Sequence, residues 1–282
     1  MSTKPIVLLT DFGETDWYVA EMKGVLLSLA PMAPLVDFAH EVPPGDVVRA
    51  AFLLARGHVA FPEGTVFVVV VDPGVGTARH PIAVRAGGRY YVGPDNGVLE
   101  AALEVSGAET RIIADPSLAA RASATFHGRD LFAPIAARLA LGGETAFEAV
   151  GPVLERPQRL PAIAGGAQRT GQDVLAARVL HVDRFGNAIT GMTKADFESW
   201  LAARDPQGAV FTVFGASGSP PTAIHGLSVT YGSAQDEAQE FIALVGSSGL
   251  IELAVPGGHA ALRLGVAPGD RVEVRYEEPP AR

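Results

Sequence analysis

The chain has 282 residues, 48% of them hydrophobic and 19% charged, with a formal net charge of −9 and no cysteine. That balance excludes a disordered chain, and the scattered Lys and Arg exclude the basic stripe that a nucleic-acid backbone requires. Disulfides and thiolate metal sites are excluded too, although the lack of cysteine fixes no compartment. The length suits two domains better than one core. The opening MSTKPIVLLTDFG carries only a short apolar run, too brief for a signal peptide, and no window reaches the length of a membrane span. A cytoplasmic protein without membrane or nucleic-acid partners is expected.

Ile6–Leu9 reads as a strand ending in Thr10-Asp11-Phe12-Gly13. Helical spacing follows, with Val19, Met22, Leu26 and Leu29 on one face and Pro31 as the stop. Leu35–Phe38 reads as a second strand, and Asp46 as the N-cap of a helix carrying Val47, Ala51 and Leu54. Then comes Thr65–Val71, whose unbroken apolar run from Val66 to Val71, rich in β-branched residues and bounded by Gly64 and Pro73, predicts a central strand buried on both faces. This alternation marks a parallel sheet covered by helices. Strands over Ile82–Val84 and Arg89–Val92, a helix over Val98–Val105 and a strand over Thr110–Ile113 come next. Thr125-Phe126-His127-Gly128-Arg129-Asp130 then leads into a helix with Phe132, Ile135 and Leu139, closed by Gly142-Gly143.

From Gly151 to Asp173 the chain is rich in Pro, Gly and Gln without periodicity, as a linker is. Beyond it, short β-runs alternate with turn signals: Val174–Val182, Val210–Phe214, Leu227–Tyr231, Glu240–Val245, Leu250–Val255 and Arg271–Tyr276. No long helical pattern interrupts them, so an all-β domain, most simply a small barrel, is expected. The expected division is therefore 1–150, a linker over 151–173, and 174–282.

Asp11, Asp37 and Asp72 all fall at predicted strand ends, where an open sheet places its ligands. Asp72 is either a working carboxylate, with Arg79 to steer it, or the cap of the Pro73-Gly74 turn. Asp11 can accept two hydrogen bonds from vicinal ribose hydroxyls or cap its own turn, while Asp16 suits the first turn of a helix as a dipole partner. Gly74-Val75-Gly76-Thr77-Ala78-Arg79 lacks the third glycine of a dinucleotide loop. His127 stands at a loop-to-helix junction on the ligand side. His40, His58 and His80 lack metal-ligand spacing, so no metal is expected. Asp183 and Asn187, in HVDRFGN, either face a ligand or build an Asx turn. Gly246-Ser247-Ser248-Gly249 either holds a carboxylate or is a hairpin loop.

Together, LLTDFG, VVDPGVGTAR, VGPDNG, TFHGRD, HVDRFGN and GSSGLIELA, in that order and across nearly the whole chain, resemble the S-adenosyl-L-methionine (SAM) hydroxide adenosyltransferases, or SAM hydrolases, relatives of fluorinase and chlorinase. The resemblance implies an α/β fold: an N-terminal three-layer α/β/α domain with a mainly parallel sheet, followed by a C-terminal all-β barrel domain. It implies a homotrimer with active sites between subunits, and hydrolysis of SAM to adenosine and L-methionine by water or hydroxide attack at the ribose C5′, with no cofactor. In that reading Asp72, Arg79 and His127 handle the water. Asp11 holds the ribose, Asn187 meets the adenine edge and Tyr231 stacks on it. Asp16, Asp183, Ser247, Ser248 and Glu252 meet the methionine ammonium and carboxylate. The halogenating relatives carry tyrosine in place of Asp72, so a carboxylate there, which repels halide, favours hydroxide. The alternatives are a halide-using SAM transferase of the chlorinase kind, a non-catalytic SAM or adenosine sensor and, third, a metal-dependent phosphoesterase.

Overall fold

Two units divide the chain, Met1–Ile163 and Ala164–Arg282. The computed structural model describes residues 3–160, 166–170, 173–202, 204–215, 221–232 and 240–278. At the centre of the first unit lies β3 (Val66–Val70), buried at every position. Because side chains alternate along a strand, its residues serve two cores. Val66, Val68 and Val70 pack with Met22 and Leu26 of α1 (Tyr18–Leu29) and with Ile135 and Leu139 of α5 (Ala133–Glu148). Phe67, Val69 and Val71 pack with Ala50 and Leu54 of α2 (Val47–Gly57) and Ala101 and Ala102 of α3 (Glu100–Leu103). Helices therefore cover both faces, and the unit has three layers.

The sheet runs β2-β1-β3-β5-β4-β6. The pairs among β2 (Leu35–Ala39), β1 (Ile6–Thr10), β3 and β5 (Arg89–Pro94) are parallel. β4 (Pro81–Ala86) pairs antiparallel with β5 and with β6 (Glu109–Ile112), so the sheet is mixed at that edge. Asp46 Oδ1 accepts the Arg49 N–H at 2.9 Å, the expected cap of α2. A four-residue α4 (Pro116–Ala119) follows β6.

Three local expectations change. α3 is shorter than Val98–Val105. α5 does not close at Gly142-Gly143: Gly143 takes φ 53°, ψ −125°, and the helix resumes beyond the kink to Glu148. Residues 151–160, read as linker, are tied to the first unit. Pro152 O accepts the Ile112 N–H, Leu154 N–H donates to Thr110 O, and Glu100 accepts from Arg159 and Leu160. The rest of the expected linker falls partly on 161–165 and 171–172, outside the described residues.

In the second unit the strands run β11-β10-β14-β8-β9-β13-β12, with β7 (Gln168–Arg169) beside β8. These are β8 (Val174–Val182), β9 (Ala188–Thr193), β10 (Ala209–Phe214), β11 (Thr222–His225), β12 (Ile242–Val245), β13 (Leu250–Ala254) and β14 (Arg271–Tyr276). Every pairing between these strands is antiparallel, and a single bridge from Ser228 to Leu244 links the two ends of the path. The sheet is thus a nearly closed barrel around Phe197, Phe211, Ile251 and Val272. Two short helices interrupt the β-runs. The first, α6 (Lys194–Leu201), starts at a capping box in which Thr193 and Asp196 satisfy each other's backbone N–H. The second is α7 (Ala260–Leu264). Leu227–Tyr231 is a bend and turn segment rather than a strand, the β-run lying just before it at Thr222–His225.

Candidate active site

In the first unit, the carboxyl ends of β1 and β3 deliver Asp11 and Asp72 side by side. Beyond Asp72 the chain makes two successive turns: Val75 N–H donates to Asp72 O, and Thr77 N–H to Gly74 O, each at 3.1 Å. They swing Arg79 back onto Asp72. Gly76, at φ +77°, is needed for this path, and a Cβ there would lie 2.6 Å from Ala124 O. That close approach brings the loop against the segment carrying His127. His127 in turn precedes a wide turn, Gly128–Phe132, closed by the Ala133 N–H on Gly128 O, which feeds α5.

The three side chains meet. Arg79 Nε donates to Asp72 Oδ1 at 3.0 Å, Arg79 Nη2 contacts Asp72 Oδ2, and Nη2 lies 2.8 Å from His127 Nδ1. A guanidinium only donates, so Nδ1 is the acceptor and the neutral imidazole carries its proton on Nε2. The carboxylate and guanidinium side chains are 5% and 7% exposed, a buried fork-to-fork pair. The Arg79 guanidinium also lies 5.4 Å over the Phe132 ring, and its Nη1 is buried without a protein partner among the described residues. Burial, and then the Arg79 charge, push His127 below the ordinary imidazole value against the opposing pull of Asp72 and Asp130.

A cavity of about 500 Å³ opens beside them, walled by Asp11, Phe12, Tyr18, Asp72, Phe126 and His127 among others. Arg79 does not line it; it stands behind Asp72. Asp11 Oδ2 accepts the Gly45 N–H at 2.7 Å. Burial raises the Asp11 carboxyl; that hydrogen bond works against the rise, and the Asp72 charge adds to it. Asp16 is exposed and precedes α1, which starts at Tyr18, so it is outside the helix's first turn and off the cavity wall. Asp37 is engaged elsewhere, accepting from Lys23 at 2.7 Å and contacting His40 at 2.9 Å.

The second-unit residues form their own cluster. Asp183 Oδ1 accepts the N–H groups of Phe185 and Asn187, and Oδ2 accepts Asn187 Nδ2, all at 2.9 Å. The Asx turn is therefore built. Tyr231 donates to Glu252 Oε2 at 2.7 Å. Burial raises Glu252, the Tyr231 hydrogen bond opposing and the Asp183 charge adding. Burial and then Glu252 push the Tyr231 phenol up to about 12. Ser247 and Ser248 sit on the β12–β13 turn, whose Gly246 has Glu252 Oε1 where a Cβ would stand. Ser248 Oγ is buried and unpartnered among the described residues.

Residues 6–151 match the SAM hydroxide adenosyltransferase N-terminal domain, and residues 177–273 match the C-terminal domain of the same family. The chain belongs to the SAM hydroxide adenosyltransferase family. It is 42% identical over 280 residues to the (R)-S-adenosyl-L-methionine hydrolase of Salinispora arenicola, covering 97% of this chain and 98% of that one. The (R)-S-adenosyl-L-methionine hydrolase of Thermus thermophilus is 40% identical, covering 94% and 97%. A fluorinase of Actinoplanes sp. is 29% identical over 68% of this chain and 73% of its own. A crystal structure of a conserved protein from Thermotoga maritima superposes with TM-score 0.85 at 35% identity, covering 96% and 99%.

In this SAM hydroxide adenosyltransferase, sequence reasoning missed two kinds of residue. One is Asn96 of VGPDNG, whose Nδ2 donates to Val71 O at 2.9 Å and so fixes the backbone next to Asp72. Its signal was present, an Asn in a tight turn after a strand, but its partner is distant in sequence. The others are the aromatic rings of the cavity wall, Phe12, Tyr18 and Phe126.

Proposed function

We propose that this protein hydrolyses SAM to adenosine and L-methionine, and that, like the relatives named for it, it acts on the (R)-sulfonium epimer. The observation that carries the reading is the Asp72–Arg79–His127 contact at the edge of a cavity that Asp11 also lines. The sulfonium is a good leaving group and needs no acid. What the reaction requires is a water held in line with the C5′–S bond and drained of one proton as the new C–O bond forms.

Asp72 is the group suited to take that proton. Its carboxylate keeps lone pairs beyond the two given to Arg79, and it lines the cavity. His127, with Nδ1 committed to Arg79, presents Nε2–H as a donor that orients the water oxygen. Arg79 fixes both partners and offsets negative charge as hydroxide character develops. Asp11 takes the ribose hydroxyls. In the second unit Asn187 and Tyr231 serve the adenine, and Asp183, Ser247, Ser248 and Glu252, together with Asp16 of the first unit, serve the amino-acid end of the substrate. No cofactor beyond water enters.

Reaction groups and most of the substrate-recognition groups thus lie in different units. This division supports a homotrimer in which one subunit's second unit completes another's site. Light scattering tests the assembly. Chromatography of products formed in isotopically labelled water tests the reaction: label in the 5′-hydroxyl of adenosine is expected. Label-free adenosine, or 5′-chloro-5′-deoxyadenosine formed in chloride, would refute it.

A further inference from the structure

One polar chain in the first unit has no task in the reading above. β1 is apolar except for its last residue, Thr10, which is fully buried one position before Asp11. A hydroxyl in such a place costs stability unless it is paired. Its partner comes from the end of β2. The pairing of β1 with β2 shifts register between Leu8–Asp37 and Leu9–Ala39, and continuing the shifted register brings His40, rather than Ala39, opposite Thr10.

Thr10 Oγ1 lies 2.9 Å from His40 Nδ1, and His40 Nε2 lies 2.9 Å from Asp37 Oδ1. Asp37 Oδ2 accepts from Lys23 Nζ at 2.7 Å. An ionised carboxylate only accepts, so Nε2 carries the ring proton and Nδ1 accepts the Thr10 O–H. Thr10 Oγ1 in turn accepts the Phe12 N–H at 3.3 Å. His40 is 3% exposed, whereas the side chains of Lys23 and Asp37 are 32% and 45% exposed, so the chain runs from the surface to the end of β1. The backbone of the same histidine adds another bond, His40 O accepting the Gly13 N–H at 2.8 Å. One residue thus grips the chain on both sides of Asp11, through Thr10 before it and Gly13 after it.

We propose that His40 is a positioning residue for Asp11, acting through the Thr10 hydroxyl, with Asp37 and Lys23 fixing the imidazole that holds it. The inference rests on the reading of Asp11 as the carboxylate that takes the ribose hydroxyls, and deepens it. To accept from two vicinal hydroxyls at once, a carboxylate must keep its plane as well as its place. The Gly45 N–H holds one oxygen, Oδ2, and the backbone from Thr10 to Gly13 must set the rest. Ribose contacts are made alike in the ground and transition states, so slack in Asp11 appears in KM more than in kcat.

The test is a set of variants of the full-length protein, read as kcat and KM for SAM and as Kd for adenosine by calorimetry. Thr10→Val keeps the shape of the strand residue and removes its hydroxyl. It should raise KM and Kd roughly 2- to 10-fold, the span of one hydrogen bond, with kcat within about threefold. In an Asp11→Ala background the same change should move either constant less than about twofold, because the carboxylate being positioned is gone. His40→Asn and His40→Gln then separate the two ends of the imidazole. Asn sets its amide oxygen where Nδ1 stands and keeps the Thr10 bond, so its KM should stay within about twofold of wild type. Gln reaches Asp37 but not Thr10, and should match Thr10→Val. An equal rise for Thr10→Val with and without Asp11, no rise at all, or the reverse order of the two His40 variants overturns the proposal and leaves the hydrolase reading intact. A wild type that binds adenosine but releases none from SAM refutes the hydrolase reading, and the Kd pattern then decides the positioning of Asp11 by itself.

Discussion

The two polar clusters are built on opposite plans. In the first unit, Asp72, Arg79 and His127 are joined end to end, and both Asp72 and His127 line a cavity, while Arg79 Nη1 is buried without a protein partner among the described residues. In the second unit, Asp183 and Asn187 close on each other and Tyr231 on Glu252. The first arrangement is organised but unsaturated, as a reacting site must be. The second is mostly self-satisfied; it holds a shape into which a ligand fits and needs no group poised for proton transfer. The difference predicts that damage to the first appears in turnover and damage to the second in binding.

The largest expected effects come from the first cluster. Asp72→Ala should lower kcat by about a thousandfold or more and His127→Ala by about a hundredfold, the range for positioned acid–base groups, with KM little altered. Asp72→Ala also leaves the Arg79 charge buried and unpaired, so a stability loss of about 3–5 kcal/mol is expected from denaturant titration. Wild-type kcat in either variant would remove that residue from the chemistry. By contrast, Asn187→Ala and Glu252→Gln should raise KM about tenfold and leave kcat within about threefold. A collapse of kcat there would break the comparison.

The contrast was only partly legible in the sequence. The central strands were, because a run such as Val66–Val71 buried on both faces has few other uses, and their carboxyl ends pointed to Asp11 and Asp72. Asp183-Arg184-Phe185-Gly186-Asn187 showed its Asx-turn pattern but not whether the turn also meets a ligand. What escaped depends on distance. No local pattern shows that Asn96 reaches Val71, that residues 152–154 lie along β6, or that Phe12, Tyr18 and Phe126 share a wall. The capping box of α6 was local and present in Thr193-Lys194-Ala195-Asp196, yet the surrounding β-runs masked it.

The pH dependence sharpens the comparison further. Burial and the Arg79 charge hold the folded value of His127 below that of an ordinary imidazole. The acid limb of kcat/KM that it governs should therefore lie below the ordinary imidazole value of about 6.5. The sign for stability follows. The folded state binds the proton less readily than the unfolded chain, so this contribution is present above the unfolded value and is lost as pH falls through the folded one. Arg79→Gln removes the repelling charge and frees Asp72 to attract, so the His127 titration followed by NMR should move upward. An unchanged or lower value would mean that the guanidinium does not set the imidazole. Asp11 has the opposite sign. Its carboxyl is raised in the folded state, so ionisation costs stability as pH rises through that raised value. Asp11→Asn should make the protein slightly more heat-stable at neutral pH while raising KM, a trade of stability against binding.

The smallest expected effect asks how self-contained the reacting cluster is. Asn96 Nδ2 holds Val71 O, one residue before Asp72, and Asn96 Oδ1 accepts the Val98 N–H at 3.1 Å. Asn96→Ala removes both bonds and leaves a buried carbonyl unpaired, a loss of about 1–3 kcal/mol in stability. If the Arg79 fork alone fixes Asp72, kcat should fall by no more than about threefold, because the carboxylate is anchored at its far end. If the strand end must also be pinned, kcat will fall much further than the stability loss explains, and Asn96 joins the site as a positioning residue. Asn96→Asp separates the two cases. It can still accept from Val98 but cannot donate to Val71, so a kcat loss shared by both variants assigns the effect to the bond beside Asp72 rather than to the turn.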